Sequence, residues 1–153
     1  MLSGYGWCVL RALPPGSADA LEPDPDRVDA LADEADERLW ADFRTWMNEN
    51  ENQLVWVRWN LVEHNNNARG VLTFHVSRNH SAPEAWVMLR WIAEHGPGSY
   101  GLYFVHDDED DGRAEGAVGV DHSNVFRVHR LRHGVFTEMD DPFFGPVFPD
   151  LEE

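Results

Sequence analysis

Runs of apolar residues with distinct periods divide this chain into eight elements. Tyr5 to Leu13 is mostly apolar and is halted by Pro14-Pro15-Gly16, the pattern of a strand followed by a breaker. Ser17 to Asp26, with Pro23 and Pro25 among acids, reads as a loop. Val28, Leu31, Ala32, Ala35, Leu39, Phe43 and Trp46 then recur at helical spacing, predicting a helix with one buried stripe. Asp29, Asp33, Glu34, Asp36 and Glu37 fall on the other side, as on a solvated face.

Leu54 to Leu61 and Val71 to Val76 alternate with period two, and Asn65-Asn66-Asn67 with Gly70 between them predicts a hairpin. Pro83 to His95 reads as a second helix, with Ser81 as its N-cap and Trp86, Leu89, Ile92 and Ala93 on one face, before Gly96-Pro97-Gly98 stops it. Three further strands are predicted at Ser99 to Val105, Val125 to Leu131 and Val135 to Glu138. The order β-α-β-β-α-β-β-β, with hairpin-length connections dominant, predicts an α+β fold: a largely antiparallel sheet with two main helices packed on it. Trp7, Trp56 or Trp59, Leu31, Leu39 and Phe43 are expected in the core. Trp86 and Trp91 are five apart and cannot both face it squarely, so either one of them is an exposed anchor or, the preferred reading, the helix has a broad buried face.

A length of 153 residues predicts a single domain over 1–153, and seven Trp, eight Phe and three Tyr are ample for its core. The lone cysteine, Cys8, lies inside the first strand, where a thiol is buried and inert. The absence of a leader pattern and of any long apolar run predicts a cytoplasmic protein with no membrane partner. Charge changes the picture more. Twenty-eight acids against 12 basic residues give a net charge of −16, which argues against nucleic acid as ligand and for a basic protein surface.

That acidity peaks at Asp107-Asp108-Glu109-Asp110-Asp111, five carboxylates in a row after the apolar run Leu102 to Val105. Neighbouring carboxylates about 6 Å apart in water repel by roughly 0.7 kcal/mol, a strain that a cationic partner would relieve. The row does not make a calcium loop: counted from Asp107, the twelfth position is Val118, where a bidentate Glu is required. A solvated turn that blunts a strand edge is its plain structural use. Eight histidines include His106, His122, His129 and His133 near the row, but no tight metal motif is formed. A metal-dependent hydrolase built from His106, Asp108, His122 and Asp121 is the catalytic alternative, and a general acidic interaction module is another. No nucleophile elbow occurs, and Gly112, Gly116 and Gly119 lie among acids that would repel a phosphate. Asn79-His80-Ser81 matches a glycosylation sequon, which carries no weight without a secretory signal.

Five segments together resemble the immunity protein 7 family of bacterial polymorphic-toxin systems. They are Tyr5-Gly6-Trp7; Arg78-Asn79-His80; Gly98-Ser99-Tyr100-Gly101-Leu102-Tyr103 running into Asp107-Asp108-Glu109-Asp110; Asn124-Val125-Phe126-Arg127-Val128; and Asp140-Asp141-Pro142-Phe143-Phe144-Gly145-Pro146. They span nearly the whole chain, and the Ser-Tyr-Gly strand entering the acidic run is the most specific. Gly112 to Asp121 is longer than usual, and Gly145 stands where the family more often has serine, so the departures touch loop and tail. The resemblance implies a single-domain α+β protein encoded beside a toxin gene, which neutralises the toxin's C-terminal domain and has no catalytic residues, metal or cofactor of its own. On this reading Tyr100, Asp107, Asp108, Glu109, Asp110 and Asp111 are the expected partner-binding residues, the acids matching the positive rim of a nucleic-acid-cleaving or nucleotide-modifying site. Ser99-Tyr100-Gly101 has a structural reading too, as a helix-to-strand junction where glycine lets a neighbour pack closely.

Overall fold

Strand β1 (Leu2–Leu10) lies at the centre of a six-stranded sheet in the computed structural model, which describes residues 1–17, 24–64, 69–112, 119–144 and 146–147. Beside it run β3 (Arg69–Arg78) and β4 (Tyr100–Asp107); β2 (Val57–His64) flanks β3, and β5 (Arg127–Arg132) and β6 (Val135–Asp140) continue beyond β4. Every pairing is antiparallel, in the order β2-β3-β1-β4-β5-β6. Helices α1 (Pro25–Glu49) and α2 (Glu84–His95) lie in the β1–β2 and β3–β4 connections, so the α+β sheet with two packed helices is as the apolar pattern predicts.

Local chemistry sets the helix ends. The Asp24 carboxylate accepts from the Asp26 amide at 3.1 Å, and Pro25 occupies the first turn, where its missing N–H costs nothing. Asn50 closes α1, its amide Nδ2 donating to the Trp46 carbonyl at 2.8 Å. The helix therefore begins earlier than Val28. In α2 the cap position is Pro83, not Ser81, and no side chain caps it; the Ser81 carbonyl instead accepts from Arg78. Gly96 ends that helix, its N–H donating to the Ile92 carbonyl at 2.8 Å.

Both helices cover the same sheet face. Leu10, Leu72, Phe74, Val76 and Tyr103 point from the strands into it, and Phe43, Met47, Met88 and Ile92 meet them from the helices. Leu39 and Phe43 are core as expected, and Trp59 packs partly buried against the core, its ring 5.5 Å from Phe43. Leu31, Trp56 and Trp7 are not core. Leu31 sits early in α1, where no residue is fully buried before Asp36; Trp56 precedes β2; Trp7 points to the other sheet face. Neither Trp86 nor Trp91 is an exposed anchor: Trp86 packs edge-on to Tyr103, His129 and Phe136, and Trp91 stacks between Trp46 and His95.

Asp36 departs furthest from the solvated face assigned to it. It shares the buried stripe with Leu39, Trp40, Phe43 and Met47. Its carboxylate accepts from the Ala12 amide at 2.6 Å and pairs with the Arg11 guanidinium at 2.8 Å, tying α1 to the end of β1. Burial raises its pKa above the usual carboxylate range, opposed by the Ala12 amide and Arg11.

Candidate functional site

The acidic row begins as the last residue of β4 and turns at once. The Asp107 carboxylate accepts from the Glu109 amide at 3.1 Å and its carbonyl accepts from Asp110 at 3.1 Å, while the Asp111 amide reaches the Glu109 carbonyl at 2.9 Å. Gly112, at φ +72°, then lies against Gly119, where an added Cβ on either would fall within 2.7 Å of the other's backbone. These bonds are the ones a short aspartate-initiated turn makes for itself. The row is therefore a braced loop and not a free acidic tail.

Basic groups within the chain already meet three of its carboxylates. The Met1 amino group pairs with Asp108, His80 Nδ1 lies 2.9 Å from Glu109, and His122 Nδ1 lies 3.4 Å from Asp110. The hydrogen bond from His80 holds the Glu109 carboxyl below the usual range. Asp108, Glu109 and Asp110 nonetheless keep nearly half of each side chain in solvent. On the helix side, Asp107 and Asp110 share a cavity of about 300 Å³ with His122, Arg127, His129 and Glu138. Arg127 is clamped between Glu138, at 2.9 Å, and Asp140. Burial would lift the Glu138 carboxyl, but the Arg127 hydrogen bond and the neighbouring His129 and Arg127 charges hold it low.

The residues considered for a hydrolase do not converge. His106 is buried with Nε2 2.9 Å from the Ser123 carbonyl, and Asp121 is engaged by the Ser123 amide and hydroxyl at 2.9 and 2.6 Å. Among the described residues no group of three or more His, Cys, Asp and Glu is placed to hold a metal ion. Cys8 is buried, which pushes its thiol up to about 12 and keeps it protonated.

Tyr100 is parted from the acids by the length of β4, about 23 Å at roughly 3.3 Å per residue. It lies on the face of the sheet that the helices leave uncovered. Gly101, next to it, is where β1 comes closest: an added Cβ would stand 2.1 Å from the Trp7 carbonyl oxygen, so the structural reading of this glycine holds. Opposite Gly101 to Tyr103 in register are Cys8, Trp7 and Gly6.

The fold brings most of the five sequence segments together. His80 touches the acidic loop; the Asp141 amide bonds the Phe126 carbonyl at 2.9 Å, and the Val147 amide bonds Asn124 at 2.9 Å. Asp141 is buried and accepts from the amides of Phe143 and Phe144, forming the turn that the Asp-Asp-Pro sequence suits. Gly145 and residues 113–118 of the glycine-rich stretch lie outside the described residues.

The pattern does not mark Tyr5, Trp7, Phe104, Arg130 and Arg132 as one surface, and it expects Trp7 in the core; all five lie on the uncovered face. The signal was present in β1 and β4, which are apolar at both odd and even positions, and in the Arg130-Leu131-Arg132 alternation. No helix among the described residues is long and apolar enough to cross a membrane. A family model described as Immunity protein 7 matches residues 1–153. No curated protein and no solved structure matches the chain.

Proposed function

The chain belongs to the immunity protein 7 family, and from that premise we propose that residues 1–153 act as one binding unit that covers the active site of a cognate toxin C-terminal domain, one to one. Membership makes it an immunity protein of a toxin system. Our reading adds the setting and the means: a bacterial polymorphic-toxin locus, a cytoplasmic encounter, and a basic toxin that cuts nucleic acid or modifies nucleotides. The protein contributes occlusion and no chemistry of its own.

The braced loop at Asp107 to Asp111 carries this reading. A rigid cluster of half-exposed carboxylates loses little freedom on binding, and it attracts a positive rim over the distance of a Debye length. Internal pairing with His80, His122 and the amino terminus fixes its shape without covering it. Tyr100 joins the same contact from the other end of β4.

Binding of the neighbouring open reading frame's C-terminal domain to the purified chain tests the proposal. Equimolar protein should abolish the toxin's activity. Replacing Asp107, Asp108 and Asp110 with Asn and Glu109 with Gln should slow association tenfold or more at low salt, and the wild-type rate should fall as salt rises. Equal association of the variant and wild type at every salt concentration would sink the acidic-mimicry part of the proposal. Failure of the wild type to bind the toxin would sink all of it.

A further inference from the structure

The uncovered sheet face has a composition at odds with the rest of the molecule. Strand alternation places Tyr5 and Trp7 of β1 and Tyr100, Leu102 and Phe104 of β4 on it, side by side in register. Tyr5 stacks on Phe104 with centroids 5.0 Å apart, and Trp7 meets Tyr100 edge-on at 6.2 Å. Tyr5 is 51 % exposed, Trp7 36 % and Tyr100 41 %. The solvent side of an antiparallel sheet is ordinarily polar, so a contiguous stripe of aromatic rings there marks a contact surface.

Charge on this face is the reverse of the chain's. All 12 basic residues of the sequence are arginines, and the outward strand positions hold Arg58, Arg69, Arg130 and Arg132. Among the described residues no acid falls on an outward-facing position of a strand. The strand carboxylates Glu63, Asp107, Glu138 and Asp140 all alternate to the helix side. Arg130 and Arg132 have no ion-pair partner among the described residues, and they line a largely apolar hollow of about 440 Å³ with Trp7, Tyr100 and Leu102.

We propose that the cognate toxin docks on this face, and that the toxin surface it meets is apolar at the centre, over Tyr5, Trp7 and Tyr100, and carboxylate-bearing at the rim, opposite Arg58, Arg130 and Arg132. The inference rests on the toxin-binding reading above and adds to it a second contact of opposite sign. Exposed aromatics and arginines are the side chains that dominate protein interfaces, since they bury large area with few rotors and form forked bonds to carboxylates. Six strands at about 4.8 Å spacing and roughly 23 Å of strand length span on the order of 600 Å², part of which, at Val9, His106 and Val128, is already buried by the chain itself, so the open stripe supplies a portion of the roughly 800 Å² that a standard interface takes from each partner. A second copy of the chain fits poorly, because two-fold pairing sets arginine against arginine. Nucleic acid would suit the rings and arginines locally but must approach a molecule of net charge −16.

The test measures rates of toxin binding to the full chain for three proteins: wild type, Trp7→Ala, and the charge reversal Arg130→Glu with Arg132→Glu. All three should melt cooperatively, since the altered side chains lie outside the core. Trp7→Ala should speed dissociation at least tenfold, and the double reversal should weaken affinity at least a hundredfold. Were the wild type to bind while both variants bound as tightly, this inference would fail and the toxin-binding reading would stand; were the wild type not to bind, the reading itself would fail. A labelled single-stranded oligonucleotide and sedimentation of the free protein complete the experiment. Submicromolar oligonucleotide binding, or self-association, that the double reversal abolishes while toxin binding persists would reassign the face and overturn the proposal.

Discussion

The two faces of the sheet are built from the same strands and differ in what covers them. On the helix face Leu10, Leu72, Phe74 and Tyr103 are sealed under α1 and α2, and the carboxylates Glu63 and Glu138 at its margins are paired with arginine. On the other face Tyr5, Trp7 and Tyr100 remain open, with arginines around them and, among the described residues, no strand carboxylate. Apolar content alone does not separate core from contact surface here. The distinction comes from cover, so substitutions matched across the two faces should have unlike costs.

The largest gap is expected between Phe43→Ala and Tyr5→Ala. Phe43 is fully buried between Trp59 and Trp91, and its truncation should cost about 3 to 5 kcal/mol in denaturant unfolding. Tyr5 loses one stacked ring on an open face and should cost about 1 kcal/mol. Equal losses would mean that the second face is covered after all.

Next comes Gly101→Ala, at the seam where both faces depend on β1 and β4 lying close. The new methyl would press on the Trp7 carbonyl, which cannot swing aside as a side chain can, and about 3 kcal/mol is the expected loss. An unchanged melting temperature would show that the two strands are further apart than described.

Two acids of α1 offer a smaller contrast. Asp36→Ala leaves the Ala12 amide and the Arg11 guanidinium without their acceptor and should cost about 1 to 3 kcal/mol, less than a sealed ion pair because Arg11 is partly in water. Asp33→Ala, three residues away on the exposed side, should stay within about 0.5 kcal/mol.

The smallest effect concerns pH. Burial under Trp86 holds the His129 imidazole below the ordinary 6.5, with Arg127 adding to the depression and Glu138 opposing it. Below pH 6.5 the unfolded chain takes up a proton that the folded chain resists, so this residue's contribution to stability is intact above that pH and is lost as the pH falls through the folded value. His129→Gln should flatten the decline in melting temperature between pH 7 and 5. A slope unchanged by the substitution would place the imidazole in water.

By itself the sequence determined the elements and their kinds, because periods of two and 3.6 follow from backbone geometry, and breakers such as Pro14-Pro15-Gly16 and Gly96-Pro97-Gly98 act locally. It also determined the family, through five segments spread along 153 residues, and the acidic turn after β4, whose Asp107 side chain forms the turn with its own neighbours. Strand ends were displaced by up to three residues, as at β2, because pairing partners and not local propensity decide where a ladder stops. Only the tertiary structure decided which side of each strand is sealed. Tyr5, Trp7 and Val9 alternate with Leu2, Cys8 and Leu10, and an apolar residue on either side satisfies the same pattern. Likewise Asp36 looked solvated because charge is common on open helix faces, whereas its phase with Leu39, Trp40 and Phe43 turns it inward to Arg11, a partner distant in the chain. The separation of Tyr100 from Asp107 by a whole strand, and the gathering of Arg58, Arg130 and Arg132 onto one sheet face, arise from sheet register, which joins residues that no local period connects.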